Sequence, residues 1–485
     1  MKIPLIINKM EKKTKIVATV SDLRCDVEFI KELYNAGTNV VRLNTAHQTI
    51  EDTIRIITNV RKVSDKIALM LDTKGPEIRT NKSEYKIDLK TGDKIKIKGN
   101  PDCTTTPECI CVTHHTFVEE VNIKDKILID DGEIELEVIG KESDALLCIA
   151  KNDGVVKARK SVNVPNVSFS LPALSQKDRE YIQFAIDYDI DFIAHSFVRN
   201  TEDVREIQEM LDAKKSAVKI IAKIENQEGV DNIDEIIEKV YGIMVARGDL
   251  AIEIPYERIP GIQKRIINKC IEARKPVIIA TQMLHSMIHN PRPTRAEVTD
   301  IANAIYSKTD AVMLSGETAF GDYPIEAVKT MSTIALEVEK SRGDYHKTPM
   351  VVLSSKTSAY LSKSAVEASI KLDASYIIAD STTGRTLRNL AGFRGRKPIY
   401  AICYNERVMR ELALSFGIFA TYEESDTSNE FIRVSLNDLF ARKEITKEDI
   451  VIILGGNYGI SHGASFVEIS TVDNLFHRYC ANKDC

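Results

Sequence analysis

Eight short runs of apolar, mostly β-branched residues recur along the first two thirds of the chain. They lack polar alternation, which is typical of strands buried on both faces of a parallel sheet. Segments with apolar residues three and four apart lie between them and predict amphipathic helices. The runs are KIVATV from Lys15, NVVRLN from Asn39, KIALMLDT from Lys66, DFIAHSFV from Asp191, VKIIAKIE from Val218, YGIMVARGD from Tyr241, PVIIATQ from Pro276 and DAVMLSGE from Asp310. Their starts are 23 to 35 residues apart except for one interval of 125, which predicts a (β/α)₈ barrel with one inserted domain.

The long interval and the end of the chain follow other patterns. Between Thr73 and Arg159, short alternating strands and Asp-Asp-Gly turns predict a small antiparallel β-barrel, mounted as a lid on the C-terminal face of the barrel. From Lys347, alternating strand and helix patterns predict an open α/β domain. We therefore expect an α/β protein with three domains. The bounds are 1–73 and 159–346 for the TIM barrel, 74–158 for the lid, and 347–485 for a C-terminal regulatory and oligomerisation domain.

Composition excludes several classes of function. Among 485 residues, 66 Lys and Arg stand against 71 Asp and Glu, a net charge of −5 that provides no basic field for nucleic acid. No apolar run approaches the roughly 18 residues that span a bilayer, and the first residues lack a signal-peptide pattern. The nine scattered cysteines predict reduced thiols in a cytoplasmic protein. We expect neither a nucleic-acid nor a membrane partner.

Charged residues gather at the predicted strand ends, where barrel enzymes carry their functional groups. They form three pairs, each two residues apart, and a spacing of two predicts side chains on one face of a strand: Arg42 with Asn44, Lys223 with Glu225, and Arg247 with Asp249. Glu225 and Asp249 can hold a hard divalent cation. The surrounding cations suit a phosphorylated or carboxylated substrate. Structural ion pairs are the alternative for any single pair, but three pairs converging on one mouth favour a functional site.

A second group of possible ligands lies in the predicted lid. Cys109, Cys111, His114 and His115 could form a soft metal site, or they could be surface thiols and a solvated histidine pair. No second ligand pair at zinc-finger spacing follows, which favours the latter. The chain contains neither of the Gly-rich motifs that cradle nucleotide phosphates.

Several long motifs resemble the pyruvate kinase family, in the same order and over nearly the whole chain. They are residues 39–44 (NVVRLN), 71–80 (LDTKGPEIRT), 127–132 (ILIDDG), 218–230 (VKIIAKIENQEGV), 280–284 (ATQML), 293–297 (PTRAE) and 313–319 (MLSGETA). The resemblance implies phosphoryl transfer from phosphoenolpyruvate to ADP, giving pyruvate and ATP, with protonation of an enolate. It also implies an allosterically regulated homotetramer.

The resemblance further implies roles for individual residues. The catalytic residues would be Lys223, Arg42, Thr281 and Ser315, with substrate contacts from Arg42, Lys223, Ala246, Arg247, Gly248, Asp249, Thr281 and Ser196. Glu225 and Asp249 would hold Mg²⁺ or Mn²⁺, and Asn44, Asp72 and Thr73 would hold K⁺. Arg79, Asp131, His47 and Lys160 would bind the nucleotide, ADP or ATP. A sugar-phosphate or nucleotide effector would bind Ser381, Thr382, Thr383 and Thr386.

Some positions depart from the family pattern and keep alternatives open. Glu77 resembles the K⁺-dependent branch, but Ala46 replaces a serine that supplies a K⁺ ligand. Residues 21–25 replace a Gly-Pro-Ala-Ser segment near the expected nucleotide. One alternative is therefore a regulatory paralogue that binds phosphoenolpyruvate but has an impaired nucleotide site. Another is an enolate-handling lyase on the same barrel, against which the lid and the C-terminal domain argue.

Overall fold

The barrel begins with three parallel strands and two helices. The computed structural model describes residues 12–341, 355–424, 430–456 and 463–480. The first elements are β1 (Lys15–Thr19), α1 (Val27–Ala36), β2 (Val40–Asn44), α2 (Ile50–Val63) and β3 (Ala68–Asp72). Asp26 and Thr49 cap the two helices, each side chain accepting a hydrogen bond from a backbone N–H of the first turn. Gly37, with a φ of 121°, ends α1 in a backbone conformation that favours glycine.

The lid follows β3 and forms a nearly closed small barrel. Its elements are β4 (Ile87–Leu89), β5 (Lys94–Gly99), β6 (Cys109–Val112), α3 (Phe117–Glu120), β7 (Lys126–Ile129), β8 (Ile134–Lys141), β9 (Leu146–Ala150), β10 (Gly154–Val156) and β11 (Val162–Asn163). The main sheet has the order β11-β7-β8-β9-β5-β6, and only β5 and β6 pair in parallel. Because β11 pairs with β7, this sheet reaches Asn163, beyond the predicted bound at 158. A β-bridge between Arg79 and Ser161 joins the two ends of the insertion.

The remaining five strands complete the barrel. They alternate with helices as α4 (Gln176–Asp187), β12 (Phe192–His195), α5 (Thr201–Ala213), β13 (Lys219–Ile224), α6 (Gln227–Asp231), α7 (Ile233–Lys239), β14 (Gly242–Ala246), α8 (Arg247–Glu253), α9 (Ile259–Glu272), β15 (Val277–Ala280), α10 (Arg295–Tyr306), β16 (Ala311–Leu314), α11 (Gly316–Ala319) and α12 (Pro324–Ser341). The closed order is β1-β16-β15-β14-β13-β12-β3-β2. Each of the eight predicted runs forms one of these strands, so the predicted fold class is confirmed.

The C-terminal domain is an open sheet with helices on both faces. Its elements are α13 (Lys356–Lys371), β17 (Tyr376–Ser381), α14 (Arg385–Gly392), β18 (Ile399–Cys403), α15 (Glu406–Glu411), β19 (Ile418–Tyr422), α16 (Glu430–Ala441), β20 (Ile450–Gly455), β21 (Phe466–Thr471) and α17 (Val472–Tyr479). The strand order is β19-β18-β17-β20-β21, with only β21 antiparallel. Separate apolar clusters cover the two faces. The predicted bound between 346 and 347 lies outside the described residues.

This domain packs on the base of the barrel, the face opposite the lid, through buried ion pairs. From this domain, Arg394 donates to Asp310 and Arg410 donates to Asp191 at 2.7 Å, while Arg61 of the barrel helix α2 also donates to Asp191 at 3.3 Å. Both aspartates are almost fully buried, and each also accepts hydrogen bonds from backbone N–H groups. The carboxylates at the base are therefore fully compensated.

The cysteines correct one expectation. Cys103 and Cys111 are joined as a disulfide, with their Cα atoms 5.8 Å apart, whereas all nine thiols were expected to be reduced. Cys111 is therefore not available as a metal ligand beside Cys109. Within the described residues, no group of three or more His, Cys, Asp or Glu side chains could hold a metal ion. The same residues include no helix that is long and apolar enough to cross a membrane.

Candidate active site

A buried ionic network occupies the C-terminal mouth of the barrel. Asp72, at the end of β3, accepts a hydrogen bond from the Arg42 Nε atom at 2.5 Å through its Oδ2 atom. The Lys223 Nζ atom, from β13, lies 3.1 Å from Asp72 Oδ1 and 3.0 Å from Glu225 Oε1. It also donates to the Ser196 hydroxyl at 2.7 Å. Because the strands are parallel, their carboxyl ends meet here and bring together side chains that are distant in sequence.

The carboxylates of this network differ in how well nearby cations compensate their negative charge. Burial disfavours ionised Asp72, but Arg42 and Lys223 outweigh that effect and lower its pKa. Burial also opposes the charge of Lys223, yet Asp72 and Glu225 raise the pKa of its ammonium group. By contrast, burial raises the pKa of Glu225 to about 7 and also raises the pKa of Asp249. For the buried Glu225 and the half-buried Asp249, the nearby positive charge therefore does not outweigh the effect of burial.

Those two carboxylates suit a divalent cation. Glu225 follows β13, Asp249 lies in the first turn of α8, and both line one cavity. The backbone N–H of Phe197, a residue with a φ of 56°, donates to Glu225 Oε2 at 2.8 Å and fixes its position. Two hard oxygen ligands are enough for Mg²⁺ or Mn²⁺, because such ions keep several positions for water and substrate. The residues present thus fit the metal expected from the sequence.

Arg247 does not follow the strand periodicity from which its position was predicted. Strand β14 ends at Ala246, so Arg247 begins α8 and strand alternation does not apply to it. Its guanidinium donates to Asp300 at 2.7 Å and to the Thr281 carbonyl at 2.9 Å. Strand alternation therefore does not place the Arg247 side chain beside that of Asp249, and its contribution of positive charge near the metal ligands stays a prediction. The ion pair with Asp300, which sequence analysis missed, holds the start of α8 against the end of β15.

Hydroxyl groups lie at the ends of the next two strands. Thr281, with a φ of 66°, accepts a hydrogen bond from the backbone N–H of Gly248 at 2.7 Å through its Oγ1 atom. The Ser315 hydroxyl is buried and has no hydrogen-bond partner among the described residues. Glu317, which lies with Ser315 at the predicted end of this strand, is buried and accepts hydrogen bonds from the N–H groups of Ser315 and Leu284 at 2.8 and 3.1 Å. Glu317 thereby orients the turn that carries Ser315.

Two cavities flank this mouth, and the lid forms part of the wall of each. The larger, here named the mouth cavity, has a volume of about 840 Å³. The predicted site residues that line it are Arg42, Asn44, His47, Asp72, Thr73, Arg79, Ser196, Lys223, Glu225 and Asp249. The smaller, named the hinge cavity, has a volume of about 660 Å³ and is lined by Asp131 and Lys160 as well as by Arg79 and Asp249. The predicted nucleotide residues are thus divided between the two cavities. Ala246, Arg247, Gly248, Thr281 and Ser315 line neither.

The residues predicted to bind K⁺ also line the mouth cavity, but their oxygens have partners within the protein. Asn44 Oδ1 accepts a hydrogen bond from the Ala46 N–H at 3.2 Å, and the Thr73 carbonyl accepts one from Ser196 at 2.7 Å. Both oxygens of Asp72 lie in ion pairs. Ala46 contributes a methyl group and no oxygen. Oxygen atoms of these residues are suitable ligands for K⁺. The site has one hydroxyl ligand fewer than the family pattern, because Ala46 replaces a serine.

The predicted effector residues lie in one turn of the C-terminal domain. Ser381, Thr382, Thr383 and Thr386 connect the end of β17 to the start of α14. The Ser381 hydroxyl accepts a hydrogen bond from the Gly384 N–H at 2.9 Å, and Gly384 has a φ of 73°. Thr386 is buried, whereas Thr382 and Thr383 are exposed. The turn forms as the sequence suggests, and no bound group is needed to explain its hydrogen bonds.

The altered segment at residues 21–25 lies outside both cavities. It forms a turn after β1 in which the Ser21 hydroxyl donates to the Ala319 carbonyl. Cys25 is buried at the end of the segment, and Leu23 is exposed. The change from the family pattern therefore removes no wall of the mouth cavity.

An eight-stranded parallel barrel with paired carboxylates and cations at its C-terminal mouth defines a class of enzymes that act on small anionic substrates. Comparison with known families gives the particular member of this class. Residues 11–328 match the family model described as pyruvate kinase, barrel domain, and residues 360–470 match that described as pyruvate kinase, alpha/beta domain. The chain belongs to the pyruvate kinase family.

Individual relatives agree over nearly the full length. The chain is 50% identical to a pyruvate kinase from Borreliella burgdorferi, covering 96% of this chain and 98% of the relative. It is 45% identical to one from Geobacillus stearothermophilus, with coverage of 96% and 81%. A crystal structure of a pyruvate kinase from Cryptosporidium parvum matches with a TM-score of 0.90 and 35% identity, covering 97% of this chain and 98% of that chain. The resemblance inferred from the motifs is confirmed.

Proposed function

We propose that this chain is an active, divalent-metal-dependent pyruvate kinase that transfers a phosphoryl group from phosphoenolpyruvate to ADP. The observation that carries this proposal is the mouth network. There, Arg42 and Lys223 line the same cavity as the buried Glu225 and the half-buried Asp249, two carboxylates whose pKa values are raised by burial. This combination suits a substrate that carries both phosphate and carboxylate charges and that binds together with a divalent metal ion. The relatives named pyruvate kinase support the same reaction.

The cations of the network would stabilise the transferring group. Phosphoryl transfer passes through a loose transition state whose charge is spread over the phosphoryl oxygens. Arg42 and Lys223 neutralise that charge, and Asp72 and Ser196 hold the Lys223 ammonium in place. A divalent cation held by Glu225 and Asp249 supplies Lewis-acid stabilisation of the substrate oxygens when it is bound.

Protonation of the enolate completes the reaction. The Ser315 hydroxyl is buried and free of partners among the described residues, so it can join a proton relay. Thr281 follows β15, which is the neighbour in the barrel of β16, the strand that precedes Ser315. Its hydroxyl accepts a hydrogen bond from the Gly248 N–H. We assign the substrate carboxylate to the backbone of Ala246–Gly248. Water must be excluded during phosphoryl transfer, because it would otherwise accept the phosphoryl group in place of ADP, and closure of the lid would accomplish this.

The remaining assignments concern nucleotide, K⁺, effector and assembly. His47 and Arg79 would contact the nucleotide from the mouth cavity, and Asp131 and Lys160 would approach it from the lid. K⁺ would bind at Asn44, Asp72 and Thr73, and a sugar phosphate or nucleotide at the turn of Ser381, Thr382, Thr383 and Thr386. We further propose a cytoplasmic homotetramer with the domain bounds given above.

The decisive experiment is a coupled assay of pyruvate formation from phosphoenolpyruvate, ADP and Mg²⁺. Lys223→Met should lower kcat at least about a hundredfold, because it removes a charge that stabilises the transition state. The variant should remain folded and should still bind Mn²⁺, because both proposed metal ligands, Glu225 and Asp249, are kept. Lys239→Met, an exposed lysine at the end of α7, is the matched control and should be unaffected.

Three outcomes would contradict the proposal. Absence of pyruvate under all conditions refutes it, and phosphoenolpyruvate binding without turnover would indicate a regulatory paralogue instead. Pyruvate formation that does not require ADP would indicate hydrolysis of phosphoenolpyruvate, with water as the acceptor of the phosphoryl group. Retained activity in Lys223→Met would show that the role of this lysine is misplaced.

The K⁺ requirement can be tested at Ala46. Ala46→Ser restores a hydroxyl beside the proposed K⁺ ligands and should lower the half-saturating K⁺ concentration about severalfold. Ala46→Gly adds no oxygen and serves as the control. The measurement is the initial rate against K⁺ concentration at constant ionic strength. If K⁺ has no effect on the wild-type enzyme, the argument from Glu77 fails.

A further inference from the structure

The hinge cavity is large enough to be a binding site in its own right. Its volume of about 660 Å³ lies within the range of small-molecule sites. Its walls come from the lid, from the chain segment that leaves the lid, and from the barrel. The proposed reaction uses only its rim, through Arg79, Asp131, Lys160 and Asp249. The rest of its lining has no role in phosphoryl transfer.

One wall of the hinge cavity is apolar and held rigidly. It comprises Val164, Val167, Phe169 and Leu171 from the segment leaving the lid, with Ile78, Val162 and Phe197 beside them. The Arg199 guanidinium donates to the carbonyls of Phe169 and Leu171 at 3.1 and 3.0 Å. Asp203 in turn holds that guanidinium through both of its carboxylate oxygens. The wall is therefore formed before any ligand arrives, which reduces the entropic cost of binding.

Acidic side chains make up much of the remaining lining of the hinge cavity. Seven carboxylates line the cavity against three cations, and each cation already has a carboxylate partner: Arg79 with Glu77, Lys160 with Asp130, and Arg199 with Asp203. The carboxylates of the barrel side, Glu228, Asp231 and Glu253, have no ion-pair partner among the described residues. The cavity consequently has an excess of negative charge.

Glu253 is a carboxylate of this lining that has no cationic partner among the described residues. It ends α8, is half-buried, and accepts a single hydrogen bond within the described residues, from Asn163 Nδ2 at 3.3 Å. Burial raises its pKa to about 7, with no cation nearby to oppose that effect. A positively charged group beside Glu253 would remove this penalty.

These features together specify the chemistry of a ligand. Excess negative charge disfavours phosphates and carboxylates. A bare metal ion is not favoured either, because no group of three ligating side chains occurs in the described residues. The apolar wall requires an apolar body. We propose that the hinge cavity binds a small organic cation, a protonated amine or guanidine, with its charge on Glu253 and its aromatic or aliphatic body against Phe169 and Phe197.

Three indole compounds of similar size but different charge provide the test. Tryptamine is a cation, tryptophol is neutral, and indole-3-propionate is an anion. The chain contains no tryptophan, so the indole fluorescence of the ligand reports binding without interference from the protein. We expect tryptamine to bind at least about tenfold more tightly than tryptophol, and indole-3-propionate to bind least well. No substrate is present, so the result does not depend on whether the chain is an active kinase.

A pair of variants locates the charge. Glu253→Gln keeps the shape and the hydrogen bond from Asn163, and it should weaken tryptamine binding about tenfold while leaving tryptophol unchanged. Glu257→Gln is the matched control, because Glu257 is exposed four residues further along and lines neither cavity. Thermal unfolding of both variants verifies that they fold.

Three results would overturn the proposal. Equal affinities of the wild type for tryptamine and tryptophol would show that charge is not recognised, and this comparison needs no variant. Unchanged tryptamine affinity in folded Glu253→Gln would exclude Glu253. Displacement of tryptamine by saturating Mg²⁺ would place the amine at Glu225 and Asp249, in the reaction site.

Discussion

Buried aspartates and glutamates occur at both ends of the barrel, but their surroundings differ. At the base, Asp310 and Asp191 are each paired with arginine and accept backbone hydrogen bonds as well. At the mouth, Arg42 and Lys223 compensate Asp72, while burial still raises the pKa values of Glu225 and Asp249. Buried charge by itself therefore does not distinguish a functional site from a packing interface. Incomplete compensation of that charge does.

The largest contrast is expected from Glu225→Gln at the mouth. Loss of a metal ligand should lower kcat roughly a thousandfold. Because the wild-type carboxylate is buried without sufficient positive charge, the free energy of unfolding should stay the same or rise. Steady-state assays and urea unfolding measure the two effects. A marked loss of stability would mean that Glu225 is a structural ion-pair residue, like the aspartates of the base.

The converse is expected of Asp310→Asn at the base. This change removes the charge of the aspartate that the buried Arg394 contacts, which should lower the free energy of unfolding by about 3 kcal/mol. The value of kcat per folded molecule should stay within about twofold, since the base is remote from the mouth. Replacement of Arg394 and Asp310 together by leucine should recover part of the lost stability. A selective loss of kcat in folded Asp310→Asn would break the distinction between the two ends.

A buried titratable group with no predicted role in the reaction gives a smaller effect. His195, at the end of β12, is only 1% exposed, and burial lowers its pKa to about 4. The folded protein keeps this imidazole neutral while the unfolded chain binds a proton below about pH 6.5. Stability from this group is thus present above that pH and lost as the pH falls toward 4.

Replacement of His195 by leucine should remove that dependence. The fall in the free energy of unfolding between about pH 6.5 and pH 4 should be smaller in His195→Leu by on the order of 2 kcal/mol. His289→Leu is the control, because that side chain is 80% exposed. Urea unfolding across this pH range measures the slopes. Parallel curves for wild type and His195→Leu would contradict the assigned protonation state.

The smallest expected effect concerns the hydroxyl without a partner at the mouth. Ser315→Ala should slow the exchange of pyruvate methyl protons with D₂O about tenfold, because the relay to the enolate carbon is interrupted. The KM for phosphoenolpyruvate should change little. Proton NMR follows the exchange in the presence of Mg²⁺ and phosphate. An unchanged exchange rate would assign the proton donor to another group.

Much of the fold follows directly from the sequence. Parallel strands buried on both faces require uninterrupted apolar runs, and all eight runs form barrel strands. The insertion and the C-terminal domain were also recognisable, because their periodicity differs from that of the barrel. Positions at strand ends then identified Arg42, Asp72, Lys223 and Glu225, since parallel strands converge at one mouth.

The parts that were not predictable depend on tertiary contacts. The direction of the Arg247 side chain follows from the start of α8 at that residue and from Asp300, which lies 53 positions later. The pairing of Cys103 with Cys111 depends on how one lid loop folds back. The division of the predicted nucleotide-binding residues between two cavities depends on the position of the lid relative to the barrel. None of these features leaves a periodic signal in the sequence.

The bridge that joins the two ends of the lid also matters for how the chain folds. Strands β3 and β12 pair directly, with Met70 opposite Phe192, although more than a hundred residues separate them. The Arg79–Ser161 bridge and the hydrogen bond from the Thr80 N–H to the Lys160 carbonyl close off the insertion as a local unit. If the lid folds first, the connection that the barrel must close shrinks to about a third of its length, which lowers the entropic cost of loop closure by roughly 1 kcal/mol. The pairing of β3 with β12 joins residues that are distant in sequence, but the folded lid brings them effectively close along the chain before the barrel closes.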